Sequence, residues 1–156
     1  LAVGRHGLLG KQNLYEHSIG VPLIMCGPGV PVGEKRDVLC YIHDIYPSLC
    51  EFIGIEVPNS VESKSFLSSI KNSESAHRST LFFAYKDFQR AVRDERYKLI
   101  EYNVKGKRTT QLYDLHSDPW ELRNLADEPD YSVNIRRLRR TLLKWKNKIG
   151  DKAEFP

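Results

Sequence analysis

The sequence predicts two architectures in succession. Residues 1–77 read as the end of an α/β unit, and residues 78–156 as a small α+β unit with a four-stranded antiparallel sheet and a C-terminal amphipathic helix. Three observations predict this. The continuous apolar run in "VPLIMCGPG", bounded by Gly and Pro, has the character of a strand from inside a parallel sheet. Four short aromatic and β-branched runs follow residue 80 at hairpin spacing. The chain then closes on apolar residues recurring every three or four positions, the period of a helix with one buried stripe.

In chain order, Val21 to Cys26 is the expected buried strand, stopped by Gly27-Pro28-Gly29. "DIYPSLCEFIGI" reads as a helix with Asp44 as N-cap, Pro47 in its first turn and Gly54 as its stop. Its expected buried face is Ile45, Leu49, Phe52 and Ile53. The Ser-rich stretch from Pro58 to His77 carries a short helix around Ser65 to Ile70 and then a boundary near Asn72 to His77. The runs 81–85, 89–93, 97–103 and 110–115 are the four strands, with turns at Arg93 to Arg96 and Lys105 to Lys107. "SDPWEL" has the pattern of a capped helical turn: Asp118 at the cap, Pro119 first, Glu121 third. Ile135, Leu138, Leu142, Trp145 and Ile149 define the stripe of the last helix, and Arg and Lys fill most of the rest.

A chain of 156 residues is about one domain's worth and buries a real core. No apolar run approaches the roughly 18 residues needed to span a bilayer. The net charge of +4 is concentrated in the second half, and a basic half is read first as solvated surface. Cys26, Cys40 and Cys50 lack the spacing of a zinc site and sit in apolar contexts, so they read as buried free thiols.

The opening stretch "GRHGLLGKQNLYEH" concentrates Gly, His, Arg and Lys, the side chains and backbone freedom that handle an anion. It is not a nucleotide P-loop: five residues separate Gly4 from Gly10 where four are needed, and Gln12 stands where the magnesium-binding hydroxyl belongs. A dinucleotide GxGxxG fingerprint is absent. What remains is a glycine-supported loop presenting Arg5, His6 and Lys11.

"GRHGLLGKQNLYEHSIGVPLIMCGPGV" resembles the stretch of type I sulfatases that follows their Ser-Asp-His-Gly or Ser-Asp-Asn-Gly motif. "DIYPSLCEFIGI", "AVRDERYKLIEY" and "LYDLHSDPWELRNLADEP" resemble three further segments of that family, in the family's order. The likeness is strongest to bacterial sulfatases of the arylsulfatase-like kind. It implies an alkaline-phosphatase-like fold, with residues 1–77 ending the large catalytic α/β domain and 78–156 forming the small C-terminal subdomain. It implies a hydrolase of sulfuric esters, aryl or carbohydrate, that uses calcium and a formylglycine made from Cys or Ser. The calcium ligands and the formylglycine motif Cys-x-Pro-x-Arg are expected upstream of Leu1, since Cys26 is followed by Gly27-Pro28.

By the same resemblance, Lys11 is the sulfate-contacting catalytic lysine, His6 a pocket histidine, and Arg5 a residue facing the rest of the substrate. Glu16 reads as an anchor of the loop. His17, His43, His77 and His116 match no motif role and are expected at the surface or in caps. The implied partners are a sulfated small molecule or sugar and an N-terminal part of the same protein. A periplasmic or secreted location is favoured. The chain alone is expected to be inactive, and its orphaned apolar strand predicts self-association. Two other classes remain open. One is a phosphatase or phosphonate hydrolase of the same superfamily. The other is a non-enzymatic module whose basic helix grips an anionic polymer. No nucleic-acid partner is expected, because the terminal helix offers only Trp145 for stacking, on its apolar stripe.

Overall fold

The computed structural model describes residues 2–155. It forms two compact units: residues up to Pro22 together with those from Phe82 on, and the intervening Leu23–Leu81.

The first unit is built on a sheet of β1 (Leu81–Tyr85), β2 (Gln89–Arg93), β3 (Tyr97–Val104) and β4 (Lys107–Asp114), in the order β1-β2-β3-β4. β2–β3 and β3–β4 are antiparallel. Local chemistry sets both turns. Asp94 Oδ1 accepts the backbone N–H of Arg96 and Tyr97, at 2.9 and 2.7 Å, an Asx turn. Between the paired Val104 and Lys107, Lys105 and Gly106 both take positive φ, 51° and 82°, as a two-residue type I′ hairpin requires.

The sheet is buried on both faces, because successive side chains point to opposite sides. Val92, Leu99 and Leu112 lie side by side in register on one face. Against them pack Ile135, Leu138 and Leu142 of α4 (Ser132–Ile149), with Phe82 and Leu125. Ala91, Ile100 and Tyr113 occupy the other face, and there the cover is Leu14 and Tyr15 with part-buried Ile19. The helix on the sheet was legible in the sequence; the use of the opening segment as a lid over the opposite face was not.

α4 ends at Gly150, φ 68°, the left-handed C-cap that glycine adopts without strain. Its stripe differs from expectation at the end: Ile149 is exposed and Lys146 is buried. The Lys146 ammonium donates to the Ala153 carbonyl and lies over the Phe155 ring, while its aliphatic stem covers apolar surface.

The second unit holds α2 (Ile45–Ile53) and α3 (Leu67–Lys71). Gly54 ends α2 with φ 74°. Asp44 is not a side-chain cap of α2. Its carboxylate turns back to the Tyr41 N–H at 2.9 Å and across to the Lys64 N–H at 3.0 Å. Arg78 closes on it with two nitrogens. Of the expected face of α2, Ile45 and Phe52 pack partly buried against the core and Leu49 and Ile53 are exposed; the fully buried positions are Pro47, Ser48 and Cys50. The helix is rotated by this polar clamp: Ser48 Oγ donates to the Asp44 carbonyl and accepts from Phe66 N–H at 2.9 Å.

Two further expectations are corrected. Val21 to Cys26 is not a strand; Ile24 is 90% exposed and Cys26 is exposed too. A strand needs a ladder partner for its backbone groups, and the four described strands pair only among themselves. "SDPWEL" is a turn, not a helical start. Glu121 sits at φ 58° with its side chain buried. Asp118 instead accepts the Arg123 N–H at 2.8 Å. No described helix is long and apolar enough to cross a membrane.

Candidate functional site

The opening segment folds into a closed loop because its glycines allow it. Ala2 N–H donates to the Gly10 carbonyl at 3.0 Å, and Gly4 N–H to the Leu8 carbonyl at 2.8 Å. Gly4, just before a single tight turn over Arg5–Gly7, and Gly7, its last residue, take φ 91° and 69°. His6, inside that turn, is itself left-handed at φ 52° and ψ 24°. A non-glycine residue there carries strain that the surroundings must hold.

What holds His6 is a stack of rings. Its imidazole lies flat on Tyr15, with centroids 4.0 Å apart and planes at 4°, and His17 stacks 5.6 Å away. Tyr15 is in turn fixed by its hydroxyl, which donates to Gln111 Oε1 of β4 at 3.0 Å, and by its N–H on Asn13 Oδ1 at 3.1 Å. Burial, then the neighbouring Tyr15 phenol, holds the Tyr102 and Tyr113 phenols well above the ordinary tyrosine value, so these phenols stay neutral. His6 Nε2 is buried and has no hydrogen-bond partner among the described residues. A buried ring nitrogen left open in this way is costly unless something else takes it up.

Arg5 stands beside this stack, its guanidinium 3.9 Å from the Trp120 ring centroid. Lys11 follows Gly10 at the closure of the loop. It is exposed and makes no ion pair or side-chain hydrogen bond among the described residues. The structure therefore puts Arg5 and His6 in one turn and leaves Lys11 exposed at its exit. His17, which matched no motif, joins His6 and Tyr15 in the stack. Burial, then the charges of His6, Arg5 and Lys98, push its pKa down, so its ring favours the neutral form.

Beneath the loop lies an ionic anchor. α1 (Glu16–Ile19) starts on the sheet: Glu16 pairs with Arg93 of β2 at 2.8 Å and with Lys98 of β3 at 3.1 Å. Lys98, fully buried, also contacts the carboxylate of Glu121. Glu121 Oε2 accepts the backbone N–H of Glu16 at 2.7 Å. Lys98 carried one signal in the sequence, a charge alternating with Ile100 on the inward side of a strand. Glu121 carried a misleading one, its place three residues after Asp118.

No group of three or more His, Cys, Asp or Glu among the described residues could hold a metal ion. No cysteine stands in the formylglycine pattern. The described residues do not fit calcium, and the chain's cysteines do not fit the modified nucleophile.

The N-sulphoglucosamine sulphohydrolase C-terminal family model matches residues 4–148. Among curated relatives, an ulvan-active sulfatase of Formosa agariphila is 28% identical over 94% of this chain and 32% of its own length. Among solved structures, a Bacteroides thetaiotaomicron protein assigned to the sulfatases superposes with TM-score 0.75 at 28% identity, over 89% of this chain and 32% of that one. A phosphonate monoester hydrolase of Silicibacter pomeroyi shares the fold, with TM-score 0.71 at 24% identity over 89% of this chain and 31% of that one. The chain thus spans about a third of the length of the relatives it matches. With nearly its whole length inside the family model, the chain belongs to the N-sulphoglucosamine sulphohydrolase C-terminal family.

Proposed function

We propose that the chain is the C-terminal portion of a sulfuric ester hydrolase acting on aryl or carbohydrate sulfates, and that its opening loop is one wall of the sulfate site. Residues 1–77 complete the catalytic α/β domain, with residues 2–22 laid on the sheet of the small subdomain, 78–156. The observation that carries this reading is a buried His6 Nε2 without a hydrogen-bond partner and an exposed Lys11 without an ion pair, among the described residues, on one loop closed by the Ala2–Gly10 hydrogen bond.

S–O cleavage moves negative charge onto the sulfate and leaving oxygens. A fixed ammonium stabilises that charge most where water is excluded. Lys11 supplies the ammonium, as catalytic and substrate-binding residue. His6 Nε2 supplies a hydrogen bond to a sulfate oxygen. Arg5, with its guanidinium over the Trp120 ring, faces the remainder of the ester. Calcium and the formylglycine nucleophile belong to the rest of the protein.

A second reading, hydrolysis of phosphonate monoesters, is favoured by the Silicibacter pomeroyi likeness. The protein extended to the length of its sulfatase relatives separates the two, assayed on an aryl sulfate and an aryl phosphonate monoester in parallel. Higher kcat/KM for the sulfate, lost in Lys11→Ala, is the expected result. A preference for the phosphonate moves the chain to the second reading. The 156-residue chain alone is expected to turn over neither.

A further inference from the structure

α4 carries no acidic residue over its 18 positions, although it bears a dense set of Arg and Lys. An ordinary solvated helix mixes the two signs, because opposite charges at i,i+4 help and like charges there cost a few tenths of a kcal/mol per pair. The structure sorts the cations into two groups. Arg137 is used internally by Asp94 at 2.6 Å, Arg139 by Glu101 at 2.7 Å, and Lys146 by the Ala153 carbonyl. The four that remain are Arg136, Arg140, Lys144 and Lys148, all exposed, with the Lys148 ammonium 5.0 Å from the Trp145 ring centroid. Among the described residues none of these four forms an ion pair. They stand at successive i+4 positions, so they form one continuous row rising about 18 Å along the helix. Three like-charged i,i+4 neighbours are thus kept on a face that packing does not require, since Ile135, Leu138 and Leu142 hold the opposite face on the sheet.

We propose that the row Arg136–Arg140–Lys144–Lys148 is a docking surface for a sulfated polysaccharide, separate from the loop that holds the reacting ester. This deepens the sulfatase reading and rests on it: it names a polymer as the class of substrate. A linear chain with repeated sulfate groups matches a linear row of cations about 6 Å apart in rise. Nucleic acid is the poorer match. Single strands are gripped by exposed aromatic rings between the cations. The one aromatic side chain of α4, Trp145, is stacked on Phe82 at the edge of the core.

The test uses the 156-residue chain with three probes: a heparin decasaccharide, an alginate decasaccharide carrying only carboxylates, and a 15-base-pair DNA duplex. Binding is followed by calorimetry at about 50 and 200 mM salt, the range where polyanion contacts separate most clearly. Two variants remove equal charge: Arg136→Gln/Arg140→Gln/Lys144→Gln/Lys148→Gln, and a control with the exposed Lys35, Lys64, Lys71 and Lys107 changed to Gln. The row variant is expected to weaken heparin binding by at least about 30-fold and to lower the salt slope by about 3, while the control changes affinity by less than about threefold. Its melting temperature is expected to equal or exceed wild type, because like-charge repulsion is relieved.

Equal losses in row and control variants overturn the proposal, as does duplex DNA or alginate bound as tightly as heparin. Turnover of a small aryl sulfate by the extended protein keeps the underlying reading separate. If that ester is cleaved and the row variant binds heparin like wild type, the surface falls and the sulfatase reading stands. If no sulfate ester is cleaved but heparin affinity still follows the row, the surface stands and the sulfatase reading falls.

Discussion

Lys98 and Glu121 bury their opposite charges against each other, and the second carboxylate oxygen of Glu121 takes the amide proton of Glu16 at 2.7 Å. One buried pair therefore ties β3, the turn after β4 and the start of α1 together under the opening loop. Removing one partner leaves the other buried and unpaired, which costs about 3–5 kcal/mol. Lys98→Met and Glu121→Leu are each expected to destabilise on that scale. The double variant is expected to recover part of the loss, giving a coupling of at least about 2 kcal/mol in urea unfolding. Additive losses would show that the two side chains act independently.

Acid sensitivity follows from three other carboxylates. Burial alone would raise the Asp44 pKa, but the Arg78 guanidinium, the Tyr41 and Lys64 N–H groups and His77 outweigh it and hold it well below the ordinary value of 3.8. Arg96 lowers Asp114, and Arg90 lowers Asp151. A carboxyl whose folded pKa is depressed binds its proton more readily when unfolded. Its contribution is complete above the unfolded value and is lost as pH falls through the folded one. The melting temperature is expected to show no loss from these groups between neutral pH and about pH 5 and to fall steeply below about pH 4. In Asp44→Asn that acid limb is expected to be shallower and the neutral-pH stability lower, because Arg78 loses its partner. An unchanged acid limb in Asp44→Asn would remove Asp44 from this account.

The elements that were legible in the sequence are those whose determinants are local. Asp94 makes its own turn, Lys105-Gly106 makes a two-residue hairpin, and the 135-138-142 period faces the sheet wherever α4 lands. The anchor was illegible for the opposite reason. Lys98 and Glu121 are 23 positions apart, and nothing near either one declares the other. Glu121 also sits at φ 58°, a conformation that a capping pattern does not foretell. The rotation of α2 escaped because a buried Asp44–Arg78–Ser48 clamp outvoted the apolar period. In the site, Arg5, His6 and Lys11 were legible as a basic glycine-supported loop. His17 and Trp120 join it only through stacking that the fold creates.

The segments Tyr97–Tyr102 and Val21–Cys26 are expected to exchange amide protons very differently in the 156-residue chain. β3 is an inner strand, paired with β2 on one side and β4 on the other. Val21 to Cys26 has no ladder among the described residues and exposes Val21, Leu23 and Ile24. Protection at 97–102 is expected to approach that of global unfolding, with little at 21–26. Comparable protection in both runs would mean that 21–26 has found a partner strand, and a concentration dependence would identify it as a second copy.

Lys11 gives the most direct measurement of the proposed site. In the protein extended to the length of its relatives, Lys11→Ala is expected to lower kcat/KM for a sulfate ester by about 10²–10³-fold, the usual scale for one preorganised group that stabilises transition-state charge. The melting temperature is expected to stay near wild type, since Lys11 is exposed and holds no ion pair among the described residues. Lys11→Arg is expected to restore activity only in part. A planar guanidinium is larger than an ammonium and approaches oxygens edge-on, so it does not reproduce the ammonium's contacts. His6→Gln sharpens the comparison. It removes the open Nε2 and the stack on Tyr15 together, so it is expected to lower both activity and stability. If Lys11→Ala instead leaves kcat/KM within about threefold while lowering the melting temperature, the lysine supports the loop and the anion is held elsewhere.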